Sequence, residues 1–274
     1  MKEEKNKKLN LPSSSVYNAE RKKAKTTKSI RYFLFAIAAL LLGIALSVVL
    51  FFNIDRIEVE GSERYSAREI IDIAGIKEGE NFFLTDVGRN ASKVTRLLPY
   101  ISTCTMKRRL PGRIIISVTE ESPVCTVKTD EGYAVLGEST KVLDNVTEKM
   151  PSIPLITGID VLNADSGVKL LCETDDETVM LSEILSGLSG SGIENVSLVD
   201  VSDNFNISLY ASGRIRIDIG NSVNVTSKLK RAREVIGKLK TTEIGVLDVT
   251  AEGRVSFLPA KQGETIFKNS VDNM

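Results

Sequence analysis

From Tyr32 to Phe52 the chain reads YFLFAIAALLLGIALSVVLFF, 21 residues without a charge. At about 1.5 Å per helical residue this run spans roughly 31 Å, the thickness of a bilayer's hydrocarbon core. A cleaved signal peptide is the competing reading, because Ala45-Leu46-Ser47 loosely fits a small-x-small cleavage site. Apolar residues nevertheless continue to Phe52, whereas the apolar part of a signal is normally about 7–15 residues long. A retained transmembrane helix over residues 32–52 is therefore expected.

Charge divides the chain at this helix. The whole sequence balances 36 Lys and Arg against 36 Asp and Glu. Residues 1–31 hold 8 Lys and 2 Arg against Glu3, Glu4 and Glu20, a net of +7, which leaves −7 for the remainder. Arg21, Lys22, Lys23, Lys25, Lys28 and Arg31 precede the helix, while Asp55, Glu58 and Glu60 follow it with only Arg56 among them. Cytoplasmic flanks carry the excess of bases, so residues 1–31 read as a basic cytoplasmic tail and residues 53–274 as extracytoplasmic.

The absence of His removes Ser-His-Asp triads, Cys-His dyads and His-ligated metals. Cys104, Cys125 and Cys172 are far apart and match no zinc spacing. They read as small, half-buried thiols in strands, with a single Cys104–Cys125 bridge left open. Asp175, Asp176 and Glu177 lack the spacing of a calcium loop and suit a helix N-terminus. No cofactor and no metal are expected.

Beyond the helix, Ile57-Glu58-Val59-Glu60 alternates as a half-buried strand and stops at Gly61. Ser66-Ala67-Arg68-Glu69 is a capping box opening a short helix to Gly75, and Thr85-Asp86 caps a second helix with Val87, Ala91, Val94 and Leu98 on one face. Ile101 to Arg108 reads as a strand, Leu110-Pro111-Gly112 as a turn, and Ile114, Ile116 and Val118 as an alternating strand. The order strand, helix, helix, strand, strand predicts a small α+β module over residues 53–121.

The next segment, residues 122–258, predicts a larger mixed β domain with flanking helices, and residues 259–274 a flexible tail. Strands are expected at Val124 to Val127, Tyr133 to Leu136 and Val196 to Val201. Thr174 to Glu177 is a second capping box, starting a helix with Leu181, Ile184, Leu185 and Leu188 inward that Gly187 to Gly192 should end. A hairpin joins Ile207–Tyr210 to Arg214–Ile219 across Ser212-Gly213, with Ile215, Ile217 and Ile219 on one face. A helix with Val225, Leu229, Ala232, Ile236 and Leu239 at helical spacing follows. Val246 to Thr250 and Arg254 to Phe257 then form a last pair of strands around Ala251-Glu252-Gly253.

Five stretches resemble one known family. A membrane anchor, Ile57-x-Val59-x-Gly61, and the run from Leu98 to Val124, strongest at Arg109, Pro111 and Ile114 to Pro123, resemble the POTRA domain of the bacterial cell-division family FtsQ/DivIB. Pro154 to Gly158 and Gly245 to Phe257 (GVLDVTAEGRVSF) resemble its β domain. Three positions depart from the pattern. Glu121 stands where the family often has Arg, Gly137 to Leu143 lacks a common Asp and turn glycine, and Thr250-Ala251 replaces a common Arg-aromatic pair. The resemblance implies a non-enzymatic scaffold at the division septum, whose partners are single-pass coiled-coil proteins of the FtsB/DivIC type and the FtsL type. It implies a role in recruiting and regulating septal peptidoglycan synthesis.

The mechanism expected from the residues is β-augmentation, a partner strand adding to an open sheet edge at the terminal strands. The candidate partner-binding residues are Leu247, Val249, Thr250, Glu252, Gly253, Val255 and Phe257. Two alternatives stand beside it. Ser227-x-x-Lys230 and Ser202-Asp203-Asn204 imitate the motifs of penicillin-binding acyl-transferases, but in reversed order and without a K-T-G. A POTRA-type chaperone for exported chains is the other.

Overall fold

The computed structural model describes residues 14–251 and 253–260, with side chains from residue 30 onward except 49 and 50. One helix, α1 (Ser14–Phe51), contains the apolar run, and Ile30–Val48 is long and apolar enough to cross a membrane, with none of it buried against protein. It begins well before Tyr32, inside the stretch read as a basic tail. Ala19, Glu20, Arg21, Lys22 and Lys23 are good helix formers, and extending an existing helix fixes only one residue per added hydrogen bond.

Two strands and two helices complete the first module around β1 (Arg56–Glu60). They are α2 (Ala67–Ala74), α3 (Val87–Leu97), β2 (Ile101–Arg109) and β3 (Arg113–Glu120). The sheet order is β1-β3-β2, with β1 parallel and β2 antiparallel to the central β3. This is the βααββ arrangement that the sequence implied. Ser66 caps α2 by accepting the Glu69 N–H, and Asp86 caps α3 by accepting the Arg89 N–H. The alternation of β3 buries Ile114, Ile116 and Val118 against Ile70, Val94 and Leu98 from the helices.

The start of this module depends on one close approach and one carboxylate. Gly61 has φ +86°, and a Cβ there would stand 2.2 Å from the Val118 carbonyl oxygen. The chain after it folds over Glu120, whose Oε1 accepts from the Ser62 hydroxyl at 2.6 Å and from the Glu63 and Arg64 amides at 3.2 and 3.0 Å. Partial burial pushes this carboxyl up, but the Ser62 hydroxyl and the amides of Arg64, Glu63 and Tyr65 outweigh that and hold it below its ordinary value. A group with a lowered folded pKa stabilises above its unfolded pKa and loses that contribution as pH falls through the folded one. Glu120→Gln is therefore expected to lose about 1 kcal/mol near pH 7, below the usual value for charge-assisted bonds because the site is partly solvated. Urea unfolding of the two forms should converge as the solution is acidified.

The second module is built on a nine-stranded sheet. Its strands are β4 (Cys125–Thr129), β5 (Gly132–Leu136), β6 (Val142–Val146), β7 (Leu155–Thr157), β10 (Val196–Asp200), β11 (Ile207–Ala211), β12 (Ile215–Gly220), β13 (Gly245–Asp248) and β14 (Ser256–Pro259). A separate two-stranded ribbon joins β8 (Val161–Asn163) and β9 (Leu171–Cys172). The spatial order is β14-β13-β12-β11-β10-β7-β4-β5-β6. Three of its pairs, β7 with β10, β7 with β4 and β12 with β13, are parallel. Parallel neighbours need a crossover, and two of these contain α4 (Asp175–Ser191), between β7 and β10, and α5 (Val225–Ile236), between β12 and β13. Both helices pack on the main core with Ile215, Ile217 and Ile219.

Thr174 and Glu177 form both halves of the expected capping box on α4. The helix does not stop at Gly187. It continues to Ser191 and ends on Gly192 in the left-handed region. A Cβ on Gly187 would lie 2.4 Å from Val225 Cγ1, so this glycine serves the close approach of α5. The hairpin turn at Ser212 and Gly213 has φ +55° and +63°, the two positive values that suit a hairpin's twist. Cys104, Cys125 and Cys172 are all free thiols on strands, and burial pushes Cys104 up to about 11. The Cys104–Cys125 bridge left open by the sequence is not formed.

Where the modules meet, two departures from the family pattern touch. Glu121 accepts from the Ser139 amide and hydroxyl at 2.6 and 2.9 Å, inside the stretch from Gly137 to Leu143. Beside them Lys141, only 8% exposed, donates to the carbonyls of Thr95 and Ile101 at 2.7 Å each. Burial lowers the pKa of this ammonium, with Glu121 opposing the shift.

Candidate functional site

Strand β14 is the outermost strand of the sheet, and no described residue pairs with its outer side. The other border strand, β6, is partly covered, because Val142 exchanges backbone bonds with Gly167 and Val168 and the Asn145 side chain donates to the Ala164 carbonyl. The two ends of the sheet are thus unlike. The open one is formed by the terminal strand.

The backbone of β14 has a defined polarity. It pairs antiparallel with β13 in the register Val246↔Leu258, Leu247↔Phe257 and Asp248↔Ser256. The Ala260 amide donates to the Ile244 carbonyl, while the Gly245 and Val249 amides donate to β12 at Arg214 and Asp218. Antiparallel ladders alternate, so the N–H and C=O of Phe257 point outward, away from β13. Pro259 has no N–H and limits the open stretch on one side.

The side chains divide between two faces. Leu247 and Val249 are fully buried in the core, so they hold β13 in place and offer no side chain to a partner. Val255 and Phe257 are half-buried against the same core. The Phe257 ring lies over Gly245, where a Cβ would meet two ring carbons at 2.8 Å. On the opposite face Leu258 is 70% exposed and Ile244 48% exposed, with half-buried Val246 directly across from Leu258. This apolar strip was missed in the sequence, where Leu258 fell at the last position of the expected domain. The strand also starts two residues later than expected, at Ser256. Alternation of Val255 and Phe257 fits both placements, and only the pairing with β13 decides between them.

The turn between β13 and β14 folds back on α5. Thr250 donates its amide and hydroxyl to Asp248 at 2.9 and 2.7 Å, which together with Arg254 holds that carboxyl below its ordinary value against the effect of burial. Gly253 has φ +71° with open space around it, and Glu252 lies outside the described residues. Thr250 and Gly253 border a cavity of about 350 Å³ with Asn221, Lys228 and Arg231. Arg231 donates to the Ala251 carbonyl at 3.3 Å, so a base from α5 stands beside the position where the family pattern has Arg and this chain has Thr250. Sequence spacing gives no sign of that arrangement, since the two positions are far apart along the chain.

The residues that imitate an acyl-transferase are not brought together. Ser227 and Lys230 are exposed on α5 and border a shallow depression with Ser182, Glu183 and Ser186. The hydroxyl of Ser202 is held by Asp200 at 2.7 Å, and Asp203 is tied to Asn206 and the Phe205 amide in a separate loop.

Comparison with known proteins agrees with this architecture. Residues 52–121 match the family described as POTRA domain, FtsQ-type. The cell division protein FtsQ of Syntrophotalea carbinolica is 28% identical over 200 residues, covering 72% of this chain and 70% of that protein. The cell division protein DivIB of Clostridium botulinum is 26% identical over 251 residues, covering 90% and 97%. The FtsQ of Corynebacterium glutamicum is 26% identical over 184 residues, covering 67% and 78%. A membrane-length helix, an FtsQ-type POTRA module and matches that run on through the nine-stranded sheet together make the chain similar to the FtsQ/DivIB family.

Proposed function

We propose that this chain is a single-pass, non-catalytic scaffold of the bacterial division machinery that captures a partner strand along β14. The relatives are named cell division proteins, and that carries the divisome role. The observation behind the capture mechanism is the open outer side of β14, with the Phe257 amide and carbonyl facing outward. Main-chain bonds would supply affinity and the strip of Ile244, Val246 and Leu258 the side-chain contact, the division of labour usual in strand addition. Partners of the FtsB/DivIC and FtsL types, anchored in the same membrane, fit this mode. The basic N-terminal flank favours a tail in the cytoplasm and both modules outside, from where the scaffold would recruit and restrain septal peptidoglycan synthesis.

Photocrosslinking in living cells from a probe at Leu258, compared with one at Asn145 on β6, tests the reading. Capture of a small single-pass coiled-coil protein from Leu258 alone is expected. An empty result from Leu258, with the protein folded and at the membrane, would remove β14 as the site.

A further inference from the structure

The end of the POTRA module beside the membrane helix carries an apolar and basic surface that strand capture does not use. The chain passes from α1 into the module with no spacer. Asn81 Nδ2 donates to the Val48 carbonyl at 3.0 Å, satisfying one of the last carbonyls of α1. Asn81 Oδ1 accepts the amides of Phe83 and Leu84, both at 3.0 Å. The Phe82 amide donates to the Phe52 carbonyl at 2.9 Å. One side chain thus ties the loop from Asn81 to Leu84 to the membrane helix.

That loop presents apolar groups at the level of the helix end. Phe82 is buried in the module's core, whereas Phe83 is 47% and Leu84 71% exposed. The Phe83 ring packs edge-on against Phe52 with centroids 5.3 Å apart. The turn after β2 closes the same end, because the Gly112 carbonyl accepts the Asp55 amide at 2.7 Å. It carries Leu110, also 71% exposed.

The turn that carries Leu110 is positively charged. Lys107, Arg108, Arg109 and Arg113 surround the turn without an intervening acid. Arg108 donates to the carbonyls of Phe82 and Thr85, fixing the loop to β2. Glu58 faces both Arg56 and Arg113, at 3.8 and 3.6 Å. Asp55, Glu78, Glu80 and Asp86 are the other acids close by, with Lys77 among them. Lys107 and Arg109 are exposed, with no carboxylate partner among the described residues.

Resting on the reading of α1 as a membrane helix, we propose that this end of the POTRA module is a lipid-binding surface for an anionic bilayer leaflet. Phe83, Leu84 and Leu110 enter the boundary between headgroups and acyl chains, and Lys107 and Arg109 meet lipid phosphates. The occupant follows from continuity: the loop is bonded to the last turn of the helix, so whatever surrounds residues 48–52 also meets Phe83. Apolar side chains rimmed by bases are the chemistry that binds such an interface, entering it by about 5–10 Å.

The chain contains no Trp, so a single introduced one reports its own surroundings. Full-length Phe83→Trp and Leu84→Trp proteins would be placed in phosphatidylglycerol-containing nanodiscs with acyl chains brominated near the headgroups and, in a parallel set for the mid-span control, near the chain ends. Leu97→Trp, at the far end of α3, is the control outside the membrane, and Leu41→Trp the control within it. Both loop reporters are expected to lose most of their emission to the bromines, as Leu41→Trp does, while Leu97→Trp keeps its own. Adding Lys107→Glu and Arg109→Glu should restore much of the loop emission. Loop reporters no more quenched than Leu97→Trp, with Leu41→Trp quenched, would overturn the proposal while sparing the anchor. An unquenched Leu41→Trp would overturn both, and quenching unaffected by charge reversal would overturn the part played by the bases. Leu84→Trp keeps the test decisive if Phe83→Trp loses its packing on Phe52.

Discussion

Leu258→Asp is expected to weaken partner capture about tenfold or more while leaving the module folded. The side chain is 70% exposed on the face away from the core, and substitutions at such positions usually change stability by less than about 0.5 kcal/mol. In a formed complex the same residue would sit beside the added strand with Val246 and Ile244, where a buried carboxylate has no partner. Phe257→Pro probes the backbone separately, because it removes the outward N–H that a partner carbonyl would bond and keeps the inward bonds of Ser256 and Leu258. It also removes a ring packed over Gly245, so Phe257→Ala is its proper reference. Pull-down or titration with the captured partner should rank wild type above Phe257→Ala, and that above Phe257→Pro. Equal binding by the alanine and proline forms would mean that main-chain pairing plays no part.

The second large effect is on folding, at two glycines in different modules. Gly61→Ala and Gly158→Ala are each expected to lose about 3–5 kcal/mol, combining left-handed strain with a steric clash. At Gly61 the φ is +86° and the obstacle is the Val118 carbonyl at 2.2 Å. At Gly158 it is +89°, with the Ser202 amide nitrogen at 2.3 Å. Backbone atoms cannot step aside as a flexible side chain can. By contrast Gly253→Ala, at φ +71° in open space, should lose only the strain, about 1 kcal/mol. Chemical denaturation of the three variants separates the clash from the strain.

What could be read from the sequence was local. Capping residues such as Ser66, Asp86 and Thr174 declare helix starts through their own side chains, and the spacing of Ile215, Ile217 and Ile219 declares which face of a strand is buried. The order of strands in the sheet was not legible. Placing β7 between β4 and β10 depends on backbone pairing between segments about 30 to 40 residues apart, which leaves no periodic mark. Gly187 fell within the stretch expected to end the helix, which Gly192 does; its own role, the contact with Val225, is tertiary and leaves no local mark. Nothing in the neighbours of Lys141 announces the carbonyls of Thr95 and Ile101 that it meets. At the candidate site the stretch was legible but the division of labour was not. Leu247 and Val249 belong to the core, and Leu258 and Ile244 carry the exposed apolar surface.

The unlike ends of the nine-stranded sheet also make it a ruler. Lys141, immediately before β6, is fastened to the POTRA module through Thr95 and Ile101, and β14 lies eight strand-to-strand steps away. At about 4.8 Å per step the free border stands roughly 38 Å from the joint. A helix running alongside would need about 25 residues to cover that distance. The sheet therefore sets a minimum length for any helical partner that touches both the joint and the free border, and shorter ones can engage only one of them.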